Sequence, residues 1–511
     1  MIFSASAMPS LIDVAAAATM AAIAFGLRLT VHLKGQPGGV DTWYFLASAD
    51  ALRATRRLPV HLPRYLLNDG PESYPPGFIV FLALLPDQWR RRGFWLISPV
   101  IDVVHLLVLY AVTRHLTGRR ELAMLAGLVY ALTPQLVSET RNLNPRAFAA
   151  LLQTIAMLLL LTGTSPGLEG GAALAWEAAA VAAATLLFLT HASSSVTFGV
   201  ATAGLTLVTR DGHYALVAAA AASLAFVLAP GLAMRTVRNY GHAVAFWRRN
   251  LAYRGADEVA NSPIYGDPVA TAHAGRWHRG RLAPAVRLLG ENPFVVPLAV
   301  AAAVGASWHH WTAGMLIWSA SIWLWAAAVT LIRPLRSVGP GFLYLKTLAF
   351  PTAFVTAVAT GPLVAAATWL AALASAVGVA IFFRHVWTRR TQHTAWTPPD
   401  LVDLVAELAR RPGDGVLCLP WMYADYVAYH SGKSVLWGGH SGDLTRFESL
   451  SPVIRRPLDA LITEYRLAWV IFDFAFADPD RVGVDGMVRL VLRRGQFGLY
   501  RVIEGERERA C

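Results

Sequence analysis

The chain has 511 residues, 55% of them hydrophobic and 15% charged, too little polar surface to coat a soluble globule of that size, so a polytopic membrane protein is expected. Its formal net charge of +12 comes mostly from arginines in short loops, with no Lys/Arg-rich run interleaved with stacking aromatics. That excludes nucleic acid as a partner and favours membrane lipids, whose anionic headgroups and phosphates suit such loops. Two cysteines, Cys418 and Cys511, exclude a disulfide framework and leave the redox compartment open.

The first apolar run, near residues 11 to 33, is long enough to span a bilayer and lacks a small-residue cleavage site, so a retained helix is expected. Runs near 94–116, 122–140, 147–163, 172–190, 195–209, 215–234, 293–309, 315–332, 343–360 and 363–384 bring the expectation to about eleven transmembrane helices. The stretch "YPPGFIVFLALLP", residues 74–86, opens on a double proline and covers only roughly half the hydrocarbon core as a helix, which predicts an interfacial or re-entrant piece.

With the N-terminus cytosolic, loops 34–93 and 235–292, the turns at 141–146, 191–194 and 333–342, and everything after 384 fall on one external face. The positive-inside rule opposes this orientation, because loop 235–292 carries nine arginines, among them Arg248, Arg249, Arg276, Arg279 and Arg281. An external site for a lipid-linked phosphate would also need arginines there.

From about residue 391 the texture changes. "TPPDLVDLVAELARRPGDGVLCLP" predicts a proline-capped amphipathic helix, a Pro-Gly-Asp-Gly turn and a short buried strand. "LAWVIFDFAF" predicts a second strand, and "VRLVLRRGQFGLYRV" a hairpin around Gly495. The expected organisation is a membrane domain over 1–390 followed by a soluble α/β domain over 391–511, outside the membrane.

Several polar residues stand where chemistry could occur. Asp41, in "DTWYFLASADALR", is a carboxylate at a membrane boundary, costly unless solvated, paired or functional; the bland reading is a helix-starting Asp. Asp50 reads as a residue of a solvated face. In "LNDGPESYPPGF", Asp69 and Glu72 precede Tyr74 in a turn leading into the short helix. "TPQLVSETRNLNPRAF" places Glu139 and Arg141 at the mouth of two helices with Arg146 starting the next, a pattern that also fits an ion pair and a snorkelling arginine. His191 leaves a helix in "FLTHASSS", where the serines would bind phosphate or cap the next helix. "LIRPLRSVGPGFLYLK" supplies Arg333 and Lys346, either headgroup anchors or contacts to a lipid phosphate. Trp421, Trp437 and His440 would contact an acceptor glycan or fill a core. No Gly-x-x-x-x-Gly-Lys loop, zinc spacing, H-E-x-x-H or hydrolase elbow is present. The sequence therefore names no cofactor and leaves a divalent metal open.

Taken together, "DTWYFLASADALR" early in a long first loop, "YPPGF" at its far end, and "TPQLVSETRNLNPRAF" and "LTHASSS" at helix mouths resemble the GT-C superfamily of integral-membrane glycosyltransferases. The branch with protein O-mannosyltransferases and the aminoarabinose transferase of lipid A is the most similar. The resemblance implies a GT-C-like helical fold, a polyprenyl-linked sugar donor (phosphate or pyrophosphate) and inverting transfer to a glycan, lipid or protein acceptor. It places the protein in a prokaryotic cytoplasmic membrane, with Asp41 as the base. Asp69, Glu72, Tyr74, Glu139, Arg141, His191, Arg333 and Lys346 would then hold the substrates. Two departures stand out: Thr42 replaces an acidic neighbour, and Tyr74 replaces a lysine before the double proline.

Two rival classes are a lipid or polysaccharide flippase and a non-catalytic assembly protein. The first would show internal repeats and acids near the bilayer midplane. The second would leave the grouping of Asp41, Tyr74 and the helix-mouth arginines unexplained.

Overall fold

The computed structural model describes residues 10–30, 38–68, 70–140, 142–251, 282–296, 298–299, 309–363, 397–438 and 447–503. Helix α1 (Leu11–Leu29) starts where the Ser10 hydroxyl accepts the Asp13 amide at 3.1 Å, satisfying one of the free N–H groups of a first turn. The first loop folds into α2 (Val40–Thr55), α3 (Gly77–Leu84) and α4 (Asp87–Arg91). Then follow α5 (Phe94–Thr117), α6 (Arg120–Ala131), α7 (Pro134–Glu139), α8 (Arg146–Gly163), α9 (Gly170–Phe188), α10 (Ala192–Thr209), α11 (His213–Leu228) and α12 (Pro230–Arg249). Later come helix His310–Leu331, the 3-10 segments Arg333–Val338 and Gly341–Leu348, and helix Ala349–Leu363.

Seven helices among the described residues are long and apolar enough to cross a membrane: α1, α5, α8, α9, α10, His310–Leu331 and Gly341–Ala359. The pair α11 and α12 would make an eighth, but it is bent by 118°. Pro230 at the start of α12 lacks the N–H that would continue the ladder, so the expected crossing at 215–234 stops at the bend. The crossing expected at 122–140 is divided in the same way, since Pro134 opens α7 instead of extending α6. The runs at 293–309 and 363–384 fall largely outside the described residues. The chain is an integral membrane protein of helical type.

The bundle core interlocks Met20 of α1, Leu109 of α5, Tyr130 of α6, Met157 of α8, Phe198 of α10, Trp318 and Phe350. Alanines such as Ala149, Ala180, Ala184 and Ala201 line the contacts, which lets helix backbones approach closely in lipid.

The C-terminal part is a small mixed sheet. Strands β1 (Val416–Leu419), β2 (Trp469–Asp473), β3 (Val488–Arg494) and β4 (Phe497–Val502) lie in the order β1-β2-β4-β3. β1 and β2 run parallel, with Val416 opposite Trp469. The β3/β4 hairpin turns at Gly495, whose φ of +49° is left-handed. Helix Pro399–Arg410 begins on a proline, as expected, and buries Leu401, Leu404, Val405 and Leu408, the 3-4 spacing of one face. Trp421 and Trp437 are core residues of this region, while His440 lies outside the described residues.

The first loop is joined to this sheet by backbone. Leu66 N–H donates to Val435 O at 2.9 Å, Leu67 N–H to Leu436 O at 3.0 Å, and Val435 N–H to Arg64 O at 2.8 Å. Val435 in turn bridges Val416 of β1. A shared apolar cluster runs from Trp43, Tyr44 and Phe45 of α2 to Leu404 and Tyr426. Asp50, expected on a solvated face, keeps a side chain 40% exposed and also joins this contact. It pairs with Arg90 of α4 and accepts a hydrogen bond from Tyr429 at 3.2 Å. The added contact has a simple cause: α2 packs on this side against a helix, Ala424–Ser431, that lies more than 370 residues later in the sequence.

Candidate functional site

The start of α2 is pressed against the loop that follows α7. A Cβ on Gly39 would lie 1.4 Å from Asn142 Oδ1, so glycine permits the approach. Thr42, fully buried, accepts the Leu143 amide on its hydroxyl at 3.0 Å. Ser98 of α5 donates to Asn142 O at 3.1 Å and holds the same loop from the other side. Thr42 occupies the place where an acidic neighbour of Asp41 was looked for, and its hydroxyl fixes the loop that carries Arg146.

The segment "YPPGF" is fixed by an equally close contact. Gly77 N–H donates to Leu189 O at 2.7 Å, and a Cβ there would stand 2.3 Å from Thr190 Oγ1 and 2.9 Å from Leu189 O. This brings α3 onto the turn that precedes His191. Tyr74 packs edge-on to Phe45 of α2, with ring centroids 5.3 Å apart.

Between these contacts lies a charged group. Arg146 donates to Glu139 at 2.5 Å, a bond with both partners partly buried. Asp41, half-buried in the first turn of α2, lies within electrostatic reach of Arg146 and of Tyr74. Burial pushes the Tyr74 phenol well above its ordinary pKa; Arg146 opposes the shift and Asp41 adds to it. Tyr74 is thus a neutral hydroxyl beside a carboxylate and a guanidinium.

Lys346 approaches from within the bundle. Its amine lies 3.9 Å from Asp102, which also holds Arg28 at 3.1 Å. Arg28 and Asp102 are 0% exposed, and Lys346 Nζ, Arg28 Nη2 and Asp102 Oδ1 lack a hydrogen-bond partner among the described residues. Lys346 is also within electrostatic reach of Glu139 and Arg146. The charges therefore run in a chain from Asp41 at the loop to Arg28 in the bundle.

The other candidates are placed differently. Glu72 is 2% exposed, accepts from Tyr44 Oη at 2.9 Å and from Asn68, and donates its own amide to Val60 O. It clamps the first loop onto α2. His191 is the N-cap of α10: its Nδ1 accepts the Ser194 amide at 3.3 Å and lies 2.8 Å from the Ser194 hydroxyl. Arg333 is exposed just after helix His310–Leu331, and among the described residues nothing joins it to this group. Asp69 and Arg141 lie outside the described residues. No group of three or more His, Cys, Asp or Glu that could hold a metal is gathered among the described residues.

Arg28 and Asp102 were not singled out from the sequence, and Arg146 was read only as a helix start. The signal for the first two was available: an ionisable residue within an apolar run, as in "FGLRLTV" and "PVIDVVHLL", is a functional candidate by default.

No family model matches the chain, and no curated protein matches it by sequence. Solved structures do match. The oligosaccharyltransferase of Archaeoglobus fulgidus, in its apo form, superposes with a TM-score of 0.59 at 12% identity, covering 92% of this chain and 71% of that one. The same archaeal enzyme, AglB, in complex with an inhibitory peptide and a dolichol-phosphate, gives 0.55 at 12% identity over 94% and 71%. ArnT from Cupriavidus metallidurans, bound to undecaprenyl phosphate, gives 0.56 at 14% identity over 97% of this chain and 98% of that one. The chain has the GT-C fold. The ArnT match runs through nearly the whole of both chains, so the GT-C likeness takes in the helical bundle, the first loop and the C-terminal sheet together.

Proposed function

We propose that this protein transfers a sugar from a polyprenyl-phosphate or pyrophosphate donor to an acceptor hydroxyl, with inversion, at the external face of a prokaryotic cytoplasmic membrane. The acceptor would be a glycan, a lipid or a protein. The observation that carries the reading is the assembly of Asp41, Tyr74, Glu139 and Arg146 from three separate chain segments, in a chain of GT-C fold. Polyprenyl and dolichol phosphates bound to ArnT and AglB support the donor class.

Asp41 is the base in this reading. The Arg146 cation lies within its electrostatic reach, and helix α2 fixes its position. As the acceptor oxygen bonds to the anomeric carbon, its proton passes to Asp41 and the bond to the donor phosphate breaks, with the electron pair leaving on phosphate oxygen. Arg146 and Lys346 are the cations placed to offset that charge, with the Tyr74 hydroxyl as a neutral donor. Glu72 and His191 support the loops that carry these groups. The division into a membrane unit, 1–390, and an external unit, 391–511, with loops 34–93 and 235–292 on the same face, belongs to this proposal.

The test is transfer by membranes containing the full chain, supplied with a panel of polyprenyl-phosphate sugars. Asp41→Asn should lower turnover by at least about 100-fold, the lower range for a lost general base, at unchanged protein level. Turnover equal to that of the parent protein would rule out Asp41 as the base.

A further inference from the structure

The far end of α2 is built very differently from its start. The chain leaves α2 through Arg56 and Arg57, and more than thirty residues later α4 ends in Arg90 and Arg91, with Arg92 following. These two helix ends are tied together: Arg53 donates to Ala83 O at 2.9 Å, at the end of α3, and lies 3.3 Å from Asp87 of α4. Arg90 is the buried member of the set and takes both nearby carboxylates, Asp50 and Asp87. Arg56, Arg57, Arg91 and Arg92 are exposed and form no close ion pair with a carboxylate among the described residues.

Two large apolar side chains stand out from the same elbow. Leu84, at the end of α3, is 78% exposed and Trp89, in α4, is 43% exposed. Only Arg92 and Gly93 separate α4 from α5, a helix long and apolar enough to cross the membrane. An exposed leucine and tryptophan at the mouth of a membrane helix suit the acyl and headgroup boundary. Four exposed guanidinium groups beside them, one of them (Arg91) within electrostatic reach of Asp87, suit phosphate of opposite charge.

We propose that the α3–α4 elbow and the end of α2 form a docking ledge for anionic phospholipid headgroups of the surrounding bilayer. Trp89 and Leu84 enter the interface, while Arg56, Arg57, Arg91 and Arg92 hold lipid phosphates at its surface. The ledge fixes the depth and tilt at which the first loop sits on the membrane. The proposal is independent of sugar transfer, and its test does not measure transfer.

Full-length protein is reconstituted into bilayers of phosphatidylethanolamine with a minority of phosphatidylglycerol, and the lipids that remain bound after detergent extraction are counted by native mass spectrometry. Phosphatidylglycerol should be enriched roughly fivefold over its share of the bilayer, the ratio that one favourable guanidinium contact at the headgroups supports. Arg56→Gln/Arg57→Gln/Arg91→Gln/Arg92→Gln should remove the enrichment, and the matching set of lysine variants should keep it. Arg489→Gln/Arg494→Gln, on the exposed β3 strand, should leave it unchanged. Enrichment that survives in the four-fold glutamine variant overturns the proposal, as does equal loss in the β3 control. Loss of fold in the glutamine set moves the decision to the lysine set and Trp89→Ala; enrichment absent from the first, or undiminished in the second, also overturns it. Displacement of the lipid by millimolar inorganic phosphate assigns the arginines to phosphate at large and removes the bilayer assignment.

Discussion

The two ends of α2 make opposite use of the same helix. At its start, small residues bring other segments into contact: Gly39 admits Asn142, Thr42 binds the Leu143 amide, and Asp41 faces Tyr74 and Arg146. At its end, the long cationic side chains of Arg56 and Arg57 follow the helix into water, beside Arg91 and Arg92 at the end of α4. Close packing at the first end holds the geometry that proton transfer from an acceptor to Asp41, as proposed, would require. Long side chains at the second end adapt, which suits a fluid surface. One helix of 16 residues thus holds both a rigid end and a compliant one.

Breaking the rigid end should cost most. Thr42→Val removes the acceptor of a buried amide and should destabilise the protein by about 1–3 kcal/mol. It should also lower transfer as the loop bearing Arg146 loosens, and Thr42→Ser should restore both. Thermal unfolding and the transfer assay measure the two effects separately, and an unchanged midpoint in Thr42→Val would show that the hydroxyl does not hold the loop. At the compliant end, Asp50→Asn weakens a partly exposed ion pair with Arg90 and should cost about 1 kcal/mol or less. A larger loss would show that this end is as rigid as the other.

The smallest effect concerns pH. His430 stands against Trp43 of α2, with ring centroids 4.5 Å apart, and against Tyr426 and Tyr429. Although the residue is exposed at its outer edge, partial desolvation by these rings lowers its pKa from 6.5 to about 4. The folded form therefore disfavours the proton, so the stability of this contact is fully present above pH 6.5 and is lost as pH falls toward 4. The unfolding midpoint should drop over that window, and the drop should shrink in His430→Phe. Equal slopes in the two proteins would remove His430 as the cause.

Much of the architecture was legible locally. The double proline before α3, the proline-capped helix at 399 and the glycine of the β3/β4 hairpin are short-range signals, and each lies where the sequence placed it. The long apolar runs gave the spans, except where Pro134 and Pro230 broke continuity, which a sliding view of hydrophobicity does not weigh. The partners of the polar groups were not legible, because they are remote in the sequence. Glu72 meets Tyr44 across 28 residues, and Arg28 meets Asp102 across 74. The second partner of Asp50, Tyr429, was not legible because its helix is encoded near the other end of the chain. For Asp41, "DTWYF" and "YPPGF" named segments that the fold brings together, but its electrostatic contact with Arg146 needed the fold.

The pairing of the first loop with residues 435 and 436 also imposes an order in time. Arg64 donates to Ala428 O across 364 residues, and the strand contacts beside it close only after that stretch exists. At synthesis rates of about 5–20 residues per second, the loop waits roughly 20–70 s for its partner strand. During that interval the side of α2 facing Tyr426 and the edge at Tyr65 stand open. The growing chain thus has a window in which its future site is half built, and a quality-control protease or chaperone at that membrane face would meet this loop before it is closed.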